Sequence, residues 1–79
     1  MYLCITGFLL NSREDDSLKY ELDVDSTYNK QIVETLGHTS LNAMAEGEWL
    51  LTNEQIAAIS EIIGQPLPTD LKLYIGVEA

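Results

Sequence analysis

Leu51-Thr52-Asn53-Glu54-Gln55-Ile56 opens the most legible segment of the chain, and Ile62-Ile63-Gly64-Gln65-Pro66-Leu67-Pro68 closes it. A threonine hydroxyl can accept the backbone N–H three residues on, and a glutamine there can reach back, so Thr52 and Gln55 form a capping box. Leu51 before the cap and Ile56 after it make a hydrophobic staple. Ile56, Ile59 and Ile63 recur at helical spacing, widened by Ile62, and give one apolar stripe. Gly64 stops the helix, and Pro66 and Pro68 prevent its resumption. Beyond them Leu71, Leu73, Ile75 and Val77 alternate with Lys72, Tyr74, Gly76 and Glu78, the period of a strand.

Working back from this segment, a shorter helix is expected after a cap at Asp25 or Ser26. It carries Tyr28, Ile32, Val33 and Leu36 and stops at Gly37. Residues 38–48 are ambiguous; Leu41, Ala43, Met44 and Ala45 fit a short helix ended by Gly47. At the start of the chain, residues 2–10 are apolar on both alternating sets. Tyr2, Cys4, Thr6, Phe8 and Leu10 oppose Leu3, Ile5, Gly7 and Leu9, which reads as a central strand. The polar turn Asn11-Ser12-Arg13-Glu14-Asp15-Asp16 leads into a half-buried strand, with Leu18, Tyr20, Leu22 and Val24 against Ser17, Lys19, Glu21 and Asp23. The two strands form an antiparallel hairpin. The expected fold is one α+β domain over 1–79: a small, mainly antiparallel three-stranded sheet in β-β-α-(α)-α-β order, with helices packed on one face.

Seventy-nine residues, 46% of them apolar, can build one compact core but not a deep, walled active site. One cysteine excludes an internal disulfide and cannot hold a structural zinc alone, which suits a reducing compartment. No apolar run approaches the roughly 18 residues of a membrane span. The opening Met1-Tyr2-Leu3-Cys4-Ile5 reads as a strand, without the basic region or cleavage site of a signal peptide.

Thirteen acids against four bases leave a net charge of −9. Such a chain repels nucleic acid backbones and anionic lipid, and a macromolecular partner bound by charge is basic. Catalytic and metal chemistry find little support. Cys4 lies inside a strand as a small hydrophobe, and His38 follows a helix end, where an imidazolium meets the terminal carbonyls. Glu21 and Asp23 share a solvated strand face. Asp23, Asp25, Thr27, Asn29, Gln31 and Glu34 have the spacing of a calcium loop, but Tyr28 occupies the position that needs glycine for its sharp turn. The five glycines stand singly and make no phosphate cradle. No catalytic residue, metal or cofactor is expected.

The informative pattern is the distribution of acids. No Lys or Arg occurs between Lys30 and Lys72, a stretch that carries Glu34, Glu46, Glu48, Glu54, Glu61 and Asp70. The only tryptophan, Trp49, lies beside Glu46 and Glu48. Two readings of Trp49 stand: a docking anchor rimmed by Glu46, Glu48 and Glu54, or a core plug with the acids as a solvated rim. Asp15 and Asp16, with Glu14, form a second acidic candidate for partner binding.

Tyr20-Glu21-Leu22 in the opening hairpin, Leu36-Gly37 closing the first helix, Trp49-Leu50-Leu51-Thr52-Asn53-Glu54-Gln55-Ile56, and Ile63-Gly64-Gln65-Pro66-Leu67 before the last strand follow one another as they do in a group of small bacterial immunity proteins. The chain resembles these proteins, which are encoded beside polymorphic or contact-dependent growth inhibition toxins. The resemblance spans most of the chain in the order of its elements, on short motifs. It implies a cytoplasmic, non-catalytic protein that binds and neutralises one cognate toxin domain, often a nuclease. No site residue transfers with it, because binding surfaces differ between pairs. The acidity is compatible, since a nuclease needs a basic surface for its substrate. The alternative is a small acidic structural or regulatory interaction module, such as a homo-oligomer formed through an exposed sheet edge.

Overall fold

The computed structural model describes residues 1–10 and 17–79. Its elements are β1 (Tyr2–Leu9), β2 (Tyr20–Val24), a single 3-10 turn (Ser26–Tyr28) running into α1 (Asn29–Thr35), α2 (Leu41–Met44), β3 (Trp49–Leu50), α3 (Asn53–Ile63) and β4 (Leu71–Glu78). The strands form one sheet in the order β2-β1-β4-β3, with every neighbouring pair antiparallel. The fold is α+β, as the element pattern implies, but the sheet has four strands rather than three. The extra strand is Trp49–Leu50, which pairs with Ile75 and Tyr74 at the edge of β4. Two residues are too short to display an alternation, so only tertiary pairing reveals them.

The register sorts the side chains into two faces. Ile5 sits opposite Leu22 in β2 and Ile75 in β4, and Leu3 opposite Val24 and Val77. These join Leu73 from the sheet, Ile32 and Val33 of α1, Met44 of α2, Ile56 and Ile59 of α3, and the flanking Leu51 and Leu67 in one buried cluster. The helices thus cover the face of Leu3 and Ile5. Cys4 is buried but stands outside that cluster, because it points to the other face. The strand β1 lies inside the ladder, between β2 and β4, yet only one of its two apolar faces is under helices. Leu18, expected on the buried face of the second strand, precedes β2 and is 47% exposed.

The local signals are satisfied by hydrogen bonds. Thr52 Oγ1 accepts from Gln55 N at 3.2 Å, and Thr52 N donates to Gln55 Oε1 at 2.9 Å. Leu51 and Ile56 are both 6% exposed, so the staple is closed. Gly37 and Gly64 end α1 and α3 at φ 80° and 67°, a region that glycine enters without penalty. After each glycine, His38 N and Gln65 N donate to Val33 O and Ser60 O, completing Schellman caps. Ser40 caps α2 by accepting from Ala43 N at 3.1 Å. Thr52→Ala should cost about 1 kcal/mol, the usual loss for a cap. A urea melt with unchanged midpoint would show that this box contributes nothing.

Candidate functional site

The uncovered face of the sheet is assembled from alternate residues of all four strands. Along β1 it presents Tyr2, Cys4, Thr6 and Phe8. Across the ladder, Cys4 faces Asp23 and Gly76, Thr6 faces Glu21 and Tyr74, Tyr2 faces Glu78, and Phe8 faces Lys72. The edge strand adds Leu50, opposite Tyr74 and 57% exposed. Glu48 lies beside Gly76 on this face: a Cβ built on that glycine would stand 3.2 Å from Glu48 Cγ. The exposed acids Glu21, Asp23, Glu48 and Glu78 surround Tyr2, Cys4 and Gly76. The other end of the face is aromatic. Phe8 and Tyr74 meet edge to face with centroids 5.9 Å apart, and Lys72 Nζ sits 5.8 Å from the Tyr74 ring centre.

The acids act on neighbouring groups. Burial first, then the bonded Asp23 carboxylate, push the Cys4 thiol up to about 11, with Glu21 and Glu78 adding to the effect. Asp23 is also the largest cause holding the Tyr2 hydroxyl above its ordinary range, followed by burial and Glu78. Both effects disfavour adding negative charge to a region already negative. The thiol of Cys4 is therefore held in its protonated form. Native-state alkylation of Cys4 at pH 8 should run at least about 100-fold slower than in urea, from the thiolate fraction alone. Equal rates would contradict the buried, acid-ringed thiol. The sign for folding follows: the unfolded thiol ionises near 9, the folded one near 11, so stability is whole below that window and falls as pH rises through it.

Trp49 is neither of the two things expected of it in pure form. It is 37% exposed and outside the core cluster. Its Nε1 donates to Met44 O at 2.9 Å, and its ring rests against His38 with centroids 4.7 Å apart. Paired with Ile75, it points to the helix side of the sheet, whereas Glu48 lies on the uncovered side. The indole ties the segment after α1 and the end of α2 to the sheet edge. Trp49→Ala should cost about 2 kcal/mol, from lost apolar contact and one hydrogen bond, and Trp49→Phe about half of that. Denaturant melts of both variants measure it; equal stability of all three proteins would leave the tie without weight.

The expected acidic cluster is thus divided. Glu46 follows α2 and Glu54 sits in the first turn of α3, both exposed, while Glu48 joins Glu21, Asp23 and Glu78. Asp15 and Asp16 lie outside the described residues. His38 donates its backbone N–H to the end of α1 but stacks its ring on Trp49. Asp25 Oδ1 accepts from Thr27 N at 2.9 Å, which caps the 3-10 turn and lowers that carboxyl's pKa. Among the described residues no three His, Cys, Asp or Glu side chains form a group that could hold a metal, and no helix is long and apolar enough to cross a membrane. Sequence reasoning placed Glu21 and Asp23 on a solvated strand face without joining them to Glu48 and Glu78. Their signal was present in β1: an apolar second face with acids alternating on the partner strand. Comparison with protein-family models, curated proteins and solved structures gives no match for this chain.

Proposed function

We propose that this chain is an immunity protein: a non-catalytic inhibitor that binds and neutralises a cognate, basic, nuclease-type toxin domain in the bacterial cytoplasm. The observation that carries the reading is the joint one of a −9 charge on 79 residues and an acid-rimmed sheet face with no helix over it among the described residues. A nuclease surface that attracts phosphate attracts carboxylates equally, and oppositely charged partners associate fast through long-range steering. The two side chains best suited to covalent chemistry are engaged in the fold: Cys4 is buried in β1 and His38 stacks on Trp49. The resemblance in element order and in the Trp49–Ile56 and Ile63–Leu67 stretches supports the same reading.

The test is co-expression with the toxin domain encoded directly beside the gene. Growth should be restored by this chain and not by an unrelated acidic protein. Full toxicity in the presence of the soluble chain would overturn the reading. The second reading, a homo-oligomeric interaction module, rests on the outer edge of β2, which has no strand partner among the described residues. It requires a concentration-dependent mass in sedimentation, which a monomeric inhibitor lacks.

A further inference from the structure

The uncovered sheet face has two unlike ends, and neither is ordinary solvent surface. One end gathers Glu21, Asp23, Glu48 and Glu78 around Tyr2, Cys4 and Gly76; the other sets Phe8, Tyr74 and Leu50 side by side. We propose that this face is the docking surface, and that its occupant is a basic protein surface that sets Lys or Arg side chains against the acids Glu21, Asp23, Glu48 and Glu78 and an apolar side chain on Phe8, Tyr74 and Leu50. The proposal rests on the reading of the partner as a basic toxin domain and moves the contact away from Trp49 and α3.

Three features favour that occupant. First, β1 spends apolar residues on both faces although helices cover only one. An apolar second face on a strand inside the ladder is explained by something that covers it. Second, two of the other described acids, Glu54 and Glu61, come without apolar company of this kind. Glu54 and Glu61 lie on the exposed side of α3, whose apolar stripe is turned into the core. Third, the only bases of the face among the described residues, Lys72 and the neighbouring Lys19, both stand at its aromatic end, which leaves the acidic end complementary to a cation. Gly76 is itself buried under Glu48: a Cβ there would stand 3.2 Å from Glu48 Cγ, so the glycine lets that acid lie close against the sheet. The raised Tyr2 hydroxyl, for which Asp23 is the largest cause, reports the negative field that would hold a cation in place.

The experiment uses the 15N-labelled full chain and two synthetic amphipathic helices, one of leucine and lysine, the other of leucine and glutamate. At low salt the lysine peptide should shift the amides of Tyr2, Cys4, Glu21, Asp23, Leu50, Tyr74 and Gly76. Glu21→Gln combined with Glu48→Gln should weaken it about tenfold, while Glu54→Gln with Glu61→Gln should change it less than about twofold. Shifts centred on α1 or α3, equal binding of the glutamate peptide, no shifts with either, or self-association through this face without a peptide would each overturn the proposal. Growth protection separates it from the reading it rests on. A chain that takes the lysine peptide on this face but protects against no neighbouring toxin keeps the surface and loses the immunity role. Full protection and unchanged toxin affinity in the Glu21→Gln, Glu48→Gln variant would keep the immunity role and reject the surface.

Discussion

Ile75→Ala should destabilise the protein by about 3–4 kcal/mol, enough to leave a domain of this size close to unfolded. Ile75 is fully buried in β4, opposite Ile5 of β1 and Trp49 of β3, on the face that meets the helices. Three elements converge on it, and none can move in to fill the space without breaking a ladder. The loss therefore includes both the removed apolar area and an unrelaxed cavity. For a chain of 79 residues it corresponds to a drop in Tm of roughly 15–25 °C. Leu50→Ala, on the uncovered face and mostly exposed, is the contrast and should stay within about 0.5 kcal/mol. Circular dichroism melts of the two variants measure the pair. Similar losses for both would mean that the helices do not define the buried side of the sheet.

Reversing two charges on the uncovered face should have the largest effect on function. Glu21→Lys with Asp23→Lys should weaken toxin binding on the order of 100-fold, about 3 kcal/mol, and abolish growth protection. Both residues are exposed on β2, so the fold has little reason to resist, and stability should change by at most about 1 kcal/mol. The same reversal at Glu54 and Glu61 on α3 should alter affinity by less than about fivefold, through long-range charge alone. Calorimetric titration against the inactivated toxin domain decides it. An unaffected Kd for the β2 variant would remove this face from the interface.

The parts of this molecule legible in its sequence are those fixed by neighbours in the chain. Thr52, Gln55, Leu51 and Ile56 lie within six residues, and a local capping box needs nothing else to form. Gly37 and Gly64 announce left-handed stops for the same reason. The strand Trp49–Leu50 was hidden, because two residues acquire strand character only from pairing with Ile75 and Tyr74, more than twenty positions away. The candidate site was hidden for a related reason. Glu48 and Trp49 are adjacent in sequence, but successive residues of a strand face opposite ways, so a cluster drawn along the chain splits when the sheet forms. Glu48 instead shares a sheet face with Glu21 and Asp23 of β2 and Glu78 of β4, two segments distant from it in the chain. What the sequence did hold was the two-sided apolarity of Tyr2–Phe8. It reads as burial by the fold on both faces; in the structure the fold covers one and leaves the other, with its acids, outward.

The most direct test of the account is the rate at which the wild-type chain associates with the toxin domain encoded beside it, measured by stopped flow as salt is raised. Steering by the −9 charge predicts an association rate constant that falls at least about tenfold between roughly 50 mM and 500 mM salt, while dissociation changes little. A rate constant indifferent to salt over that range would contradict an acidic surface recognising a basic one.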